Sequence, residues 1–269
     1  IFNIDETFQR RSGFYWLNYI TEFLQFENFS NLAKEKFVNS YDFTIPWGEK
    51  DKAYGIVFDV PAAFFEIIFN IEEPIKYYQL RHLLTFIYFF IGLVFFYKII
   101  QNRFRNRYIS LLACVLLFLT PRIFGEIFHN NKDIIFLSIF IIALYFYFKT
   151  IENEKISNIL LFALFSAIAT STRLFGIIFP ISFIFLFFLS VLSKKNDLKK
   201  INYLILYLIF YFIILIIHWP YLWNSPVQNF ISHINNLNEF GSPSVFFNGN
   251  FYNAKLVPYY YLILWIMIS

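Results

Sequence analysis

The residues of this chain that could do chemistry gather at the ends of its apolar stretches. They are the pair Asp5 and Glu6, the pair Arg81 and His82, a polar run from Pro121 to Asp133 holding Glu126, His129, Lys132 and Asp133, the pair Thr172 and Arg173, and His218 followed by Trp219, Tyr221 and Trp223. A charge held at membrane depth costs several kcal/mol unless it is paired or used, so these positions carry more information than charges in open loops. A carboxylate can take a proton from an attacking hydroxyl, and a guanidinium fork fits phosphate oxygens. Each group also has an ordinary reading. Asp5 and Glu6 could be solvated acids, Arg81 and Arg173 could snorkel to lipid headgroups, and His129 could be structural. The aromatic group after His218 could be an interface belt with a loop anchor. Arg10, Arg11, Glu72 and Glu73 read as surface charges.

The elements that must position these residues are apolar helices. Of 269 residues, 58% are hydrophobic and 15% charged, whereas a soluble globular domain carries about a quarter charged residues. A helix crossing about 30 Å of hydrocarbon needs roughly 20 apolar residues. Residues 83–97, 108–120, 134–148, 158–169, 174–192 and 201–217 are candidates, and another stretch begins near Tyr259. Several are short, which predicts tilted and partly broken helices. The single cysteine, Cys114, lies inside an apolar run, which excludes an intramolecular disulfide framework and a thiolate metal cluster.

The net charge of +4 invites a nucleic-acid reading, but its distribution argues for topology instead. Residues 1–80 hold 12 acids against seven Lys and Arg. Three alternate loops, at 98–107, 149–155 and 194–200, hold ten Lys and Arg, whereas the loops between them hold four: Arg122, Lys132, Arg173 and Lys255. By the positive-inside rule the first set is cytoplasmic, which puts residues 1–80 and 218–258 on the other side. The expected organisation is an external segment at 1–80, a transmembrane core of about six spans at 81–217, an external loop at 218–258 and the start of a further span at 259–269. Residues 1–6 are too short for the apolar region of an export signal, so a span before Ile1 is expected, and the chain reads as a fragment lacking that first span and a C-terminal part.

Within residues 1–80, positions 14–37 place Tyr15, Leu17, Ile20, Leu24 and Phe26 at mixed three- and four-residue spacing, which predicts one amphipathic helix. A second is expected over about 61–69, with Asp59 as N-cap, Pro61 in the first turn and Phe64, Phe65, Ile67 and Ile68 as a greasy surface. These read as helices lying at a membrane surface, or as a small soluble subdomain.

An Asp-Glu pair ahead of an amphipathic segment, Arg-His opening the next span, the TPRIFGEIFHNNKDI stretch, the ATSTRLFG break and the HWPYLW exit together resemble the GT-C glycosyltransferases, in particular the bacterial branch related to dolichyl-phosphate-mannose protein mannosyltransferases. The resemblance covers essentially the whole chain. It implies an all-α polytopic bundle with external juxtamembrane helices, in a bacterial inner membrane with its active site facing the periplasm. It implies transfer of mannose or another hexose, with inversion, from a polyprenyl- or dolichyl-phosphate-linked donor to an acceptor hydroxyl. The partners implied are that donor, the lipid bilayer and an acceptor protein, glycolipid or polysaccharide, with no nucleic acid.

The resemblance makes Asp5 the base, with Glu6 orienting acceptor or donor. Arg81 and Arg173 would contact the donor phosphate, joined by His129 and Lys132, as its charge grows during bond breaking. Glu126, His129 and Asp133 are the alternative set for a divalent cation, with phosphate contact preferred; no Asp-X-Asp motif is present. His218, Trp219, Tyr221 and Trp223 would contact acceptor or lipid. A transporter and a non-catalytic membrane scaffold are the rival classes. A transporter would show internal repeats with Gly or Pro breaks in matching positions, of which this sequence has none, and would not require an external segment of about 80 residues. A scaffold is separated from the enzyme by whether Asp5 faces Arg81 and Arg173 across one cavity.

Overall fold

The computed structural model describes residues 4–40, 52–153, 155–192, 198–238, 244–247, 249–253, 256–257 and 263, and of residues 4, 5, 198–200, 237, 238 and 247 the backbone alone. The further span expected from Tyr259 lies outside the described residues, as do the side chains of the 194–200 loop. The described residues fall into two units, 1–226 and 227–269. The smaller holds most of a helix, Pro226–Asn238, and an antiparallel hairpin pairing Ser244–Phe247 with Asn250–Asn253. The larger unit carries all the candidate residues.

Among the described residues of that unit the regular elements are helices: α1 (Ile4–Phe23), α2 (Glu27–Asn39), α3 (Asp59–Ile68), α4 (Pro74–Phe104), α5 (Arg107–Leu119), α6 (Pro121–Glu126), α7 (Asp133–Glu152), α8 (Ile156–Thr172), α9 (Ile178–Leu192) after a 3-10 turn at Leu174–Ile177, and α10 (Leu198–His218). Among the described residues, four segments are long and apolar enough to span a bilayer: Pro74–Phe104, Asp133–Glu152, Leu174–Leu192 and Ile201–His218. The expected spans at 108–120 and 158–169 form shorter apolar helices, α5 and α8. In contrast, α4 is longer than expected from residues 83–97. At 31 residues it runs roughly 46 Å, longer than the hydrocarbon layer is thick. Pro74 starts it in the first turn, where a missing N–H costs nothing, and Arg105 ends it in the left-handed conformation at φ 52°.

The bundle centres on α7 and α8, with α4 beside α7 and α10 beside α8. Ala163, Ser166, Ala167, Ala169 and Thr170 bury completely, and such small side chains let helices approach closely in a membrane protein. Into that space Phe162 packs with its ring 4.6 Å from Tyr207, 5.5 Å from Phe183 and 5.8 Å from Phe179. The polar tips are satisfied locally: Tyr207 Oη lies 3.0 Å from Ser166 Oγ, and the Tyr211 hydroxyl donates to Thr170 Oγ1 at 2.9 Å.

The expected single amphipathic helix over 14–37 is two helices. Gln25, at φ 62°, adopts the left-handed conformation between them, and the chain folds back. The refolded pair packs on α3 through Phe14, Leu17, Ala33 and Ala63, while Phe23, Leu24, Phe26, Phe64, Ile68 and Phe69 stay exposed. This small assembly thus has a core of its own and an apolar outer face. Asp59 is not the N-cap expected of it. Phe58 takes that position without a side-chain cap bond, because the Asp59 carboxylate is drawn to Arg81.

Two glycines fix close approaches, one within this layer and one between it and the bundle. A Cβ at Gly13 would stand 2.3 Å from the Asp59 carbonyl oxygen, so only glycine lets α1 cross the start of α3 that closely. A Cβ at Gly55 would stand 2.3 Å from the Ser171 carbonyl oxygen, so the strand of chain leading into α3 lies directly on the end of α8.

Candidate functional site

The layer formed by α1, α2 and α3 is held to the bundle by a buried ionic network. Arg81 on α4 is 1% exposed and donates from Nη1 to Asp59 Oδ1 at 3.1 Å and from Nε to Glu66 Oε1 at 3.2 Å. Glu66, fully buried on α3, also accepts from Arg10 Nε of α1 at 2.8 Å. Arg10 lies 3.8 Å over the Tyr77 ring centroid and 5.0 Å over that of Phe14. Two guanidinium groups and two acidic side chains therefore meet across three helices, since buried charges need partners. Arg81 was expected at a donor phosphate; its charge is already met by these two acids. Arg10, read as a surface charge, is instead part of the clamp. Burial pushes the Asp59 carboxyl up to about 7, against the pull of Arg81 and then Lys132.

Beside this network lies a cleft lined by Gln9, Tyr54, Asp59, Asn131, Lys132 and Thr172, among others. It gathers residues from α1, the chain before α3, the turn before α7 and the end of α8. Lys132 Nζ stands 3.1 Å from the Tyr54 ring centroid, a cation–π contact. Gln9 Oε1 and Asn131 Nδ2 are buried there without a hydrogen-bond partner among the described residues. A buried acceptor and donor left unmatched are costly, and each is answered by a small hydrogen-bonding group such as a water or a hydroxyl. The α1 side of the cleft is Phe8, Gln9 and Ser12. Asp5, three, four and seven residues earlier on the same helix, shares that face by helical spacing, while its side chain lies outside the described residues.

Next to the cleft, Arg173 pairs with Asp133 across an exposed gap between the ends of α7 and α8. Asn130 organises the α7 start: its Oδ1 accepts from the Asp133 N–H at 2.7 Å and the Lys132 N–H at 3.2 Å, and its Nδ2 donates to Asp133 Oδ2 at 3.1 Å. Glu6 is 1% exposed and its Oε1 lies 3.0 Å from His82 Nε2. That same nitrogen lies 3.3 Å from His129 Nδ1.

The alternative cation set of Glu126, His129 and Asp133 does not assemble. His129 turns to His82 and Glu6, Asp133 is engaged by Arg173, and Glu126 contributes its carbonyl to the His129 and Asn130 N–H groups. The HWPYLW segment forms a corner at the end of α10. Trp219 is fully buried and donates from Nε1 to the Ala53 carbonyl at 3.2 Å, holding the chain that precedes α3. Its ring neighbours Tyr221, with centroids 6.3 Å apart. Trp223 donates to the Ile216 carbonyl at 2.9 Å, with ring neighbours Tyr19 at 5.7 Å and Phe23 at 5.1 Å. His218 Nδ1 lies 3.1 Å from Ser171 Oγ.

The polar ends of α7, α8 and α10 and the start of α4 thus meet at one end of the bundle. Glu6, Asp133, Arg173, His129 and Lys132 are in that group, and Arg81 borders it through Asp59. Sequence reasoning did not single out Gln9, Tyr54 or Asn131, and named His82 only beside Arg81. Gln9 carried a usable signal, one helical turn after Asp5. The pairing of His82 with His129 carried none, since 47 residues separate them.

Residues 60–223, more than half of the chain, match the family model described as dolichyl-phosphate-mannose-protein mannosyltransferase. The chain belongs to that family. No curated protein and no solved structure matches it.

Proposed function

We propose that this member of the dolichyl-phosphate-mannose-protein mannosyltransferase family transfers a hexose from a polyprenyl-phosphate-linked donor to an acceptor hydroxyl on the extracytoplasmic side, with inversion. Membership makes it a membrane glycosyltransferase of the mannosyltransferase type; donor, acceptor, side and stereochemistry are the proposal. The observation that carries the proposal is the cleft at one end of the bundle, where the α1 face bearing Asp5, Phe8, Gln9 and Ser12 stands opposite Asn131 and Lys132.

In this reading the acceptor hydroxyl attacks the anomeric carbon on the side away from the phosphate and gives its proton to Asp5. The carbon–oxygen bond to the lipid phosphate breaks as the new one forms. Lys132 and Arg173 neutralise the leaving phosphate, with His129 close behind them, and Arg173 exchanges Asp133 for phosphate oxygens. Gln9 and Asn131 hold sugar hydroxyls. Glu6 sets the orientation of α1, and Arg81 contributes by clamping Asp59 and Glu66. The Trp219 corner keeps the chain before α3 on the bundle, and Tyr221 and Trp223 provide a surface for acceptor or lipid. The short helices α5 and α8 suit an enzyme whose substrate sits at the membrane boundary. A transporter or scaffold reading gains nothing from membership in a glycosyltransferase family.

The test is sugar transfer by the full-length protein in membranes, from a radiolabelled polyprenyl-phosphate hexose. Asp5→Asn keeps the shape but cannot take the proton, so transfer is expected to vanish while expression is unchanged. Undiminished turnover by Asp5→Asn removes Asp5 as the base.

A further inference from the structure

Three side chains from separate elements converge beside the cleft: Glu6 of α1, His82 of α4 and His129 of the turn after α6. Their ligand atoms all lie within 4.8 Å of one another. We propose that they bind a tetrahedral divalent transition-metal ion of the Zn2+ class.

Spacing is the first argument. Glu6 Oε1 and His129 Nδ1 lie 3.0 and 3.3 Å from His82 Nε2. A tetrahedral ion with bonds of about 2.0–2.1 Å sets its ligand atoms roughly 3.3 Å apart, so little movement brings the three atoms around one centre. The second argument is proton accounting. His82 Nε2 faces both a carboxylate oxygen and a second imidazole nitrogen, and one N–H cannot be directed fully at both. If His129 donates instead, the His82 lone pair faces Glu6. A cation at the shared point satisfies all three acceptors at once.

Burial supplies the third. Glu6 is 1% exposed and its second oxygen, Oε2, is buried without a hydrogen-bond partner among the described residues. A buried carboxylate left half-unmatched is costly unless a positive charge stands close by. Two imidazoles with one carboxylate also choose the ion. Calcium and magnesium favour sets made of oxygen, while imidazole suits zinc and its neighbours. Three protein ligands leave a fourth position for water or an anionic oxygen. The ion would fasten α1 to α4 and to the turn after α6, on the side of α1 next to the cleft face. This inference rests on the geometry of the cluster and not on the sugar-transfer reading, so its test uses metal readouts alone.

The experiment takes the full-length protein, free of any histidine tag, purified in detergent without chelator. Elemental analysis is expected to find one zinc per chain, and Co2+ added to the metal-stripped protein is expected to give the visible absorption of a tetrahedral site. His129→Gln and His82→Ala are expected to abolish the cobalt signal and to weaken zinc binding by more than the roughly 10–100-fold that loss of an outer-shell partner costs. His218→Ala should leave both unchanged. Should a variant fail to fold, the wild-type cobalt titration still decides. Absence of bound zinc together with absence of a cobalt spectrum in folded wild-type protein would establish a hydrogen-bonded cluster without metal and overturn the proposal. A metal signal that survives both histidine variants would overturn it equally.

Discussion

Arg173 and Asp133, 40 residues apart in sequence, form an ion pair that bridges the start of α7 and the end of α8 beside the cleft. Both side chains are substantially exposed, so the pair adds little to stability, on the order of 0–1 kcal/mol. Its value to the protein must lie elsewhere. A guanidinium held by an exposed carboxylate can be released to a phosphate at small cost. Arg173→Ala is therefore expected to lower kcat/KM for the lipid-phosphate donor by about 10- to 100-fold, equivalent to about 1.4–2.8 kcal/mol, with thermal stability nearly unchanged. Arg173→Lys should recover only part of the loss, because an ammonium lacks the fork. Donor-dependent kinetics in reconstituted membranes check this, and a kcat/KM equal to wild type excludes Arg173 from phosphate contact.

The contrasting case is Glu66, which is fully buried between Arg10 and Arg81. Removing one member of such a network leaves charges uncompensated and costs about 3–5 kcal/mol. Glu66→Ala is expected to lower the unfolding temperature sharply and to detach α3 from α4. Thermal unfolding in detergent, followed by tryptophan fluorescence, measures it. A shift no larger than that of Arg173→Ala would contradict the clamping role.

Asp59 makes stability depend on pH. Its carboxyl is raised from 3.8 to about 7, burial being the main cause. The folded protein therefore binds more protons at this site than the unfolded chain across that interval, and stability falls as pH rises from about 4 through 7. In Asp59→Asn this component is absent, so its stability profile should be flatter than wild type between pH 5 and 8. Parallel unfolding scans of the two proteins decide the matter, and identical slopes would show that Asp59 titrates normally.

Much of this organisation was legible in the sequence, for identifiable reasons. Apolar length and the alternation of basic loops depend on local composition, so the helical bundle and the gathering of Asp133, Arg173 and His218 at one end could be read directly. Long-range pairing could not. The charge on Arg81 suggested a phosphate, but its partners Asp59 and Glu66 lie on a separate helix, and only the fold brings them near. The break at Gln25 was hidden because a left-handed turn without glycine leaves no compositional mark. The convergence of Glu6, His82 and His129 depends on three elements meeting, which no spacing in the chain encodes.

Gly55 gives a steric test of how the chain before α3 is held. A Cβ there would come within 2.3 Å of the Ser171 carbonyl oxygen, a backbone atom that cannot rotate away. Gly55→Ala must therefore push Tyr54 and the neighbouring chain off the end of α8. Overpacking of this kind costs about 1–3 kcal/mol, and sugar transfer should fall because Tyr54 and Thr172 both line the cleft. Wild-type stability and turnover in Gly55→Ala would mean that this contact relaxes freely.

Gln9 and Asn131 provide the most direct probe of what the cleft holds. Each presents a buried polar atom without a partner among the described residues, and such atoms gain most when a ligand supplies the missing hydrogen bond. A bound sugar hydroxyl can donate to Gln9 Oε1 and accept from Asn131 Nδ2. Gln9→Leu and Asn131→Leu remove the unmatched atoms, so the folded protein should be as stable as wild type or slightly more so. Donor recognition should worsen by about 1–2 kcal/mol for each change, roughly 5- to 30-fold in kcat/KM. A deoxy-sugar donor separates the two roles: the analogue lacking the contacted hydroxyl should be used equally by wild type and by the matching leucine variant. If both variants instead lose stability and discriminate among deoxy donors as wild type does, Gln9 and Asn131 are packing residues and the sugar binds elsewhere.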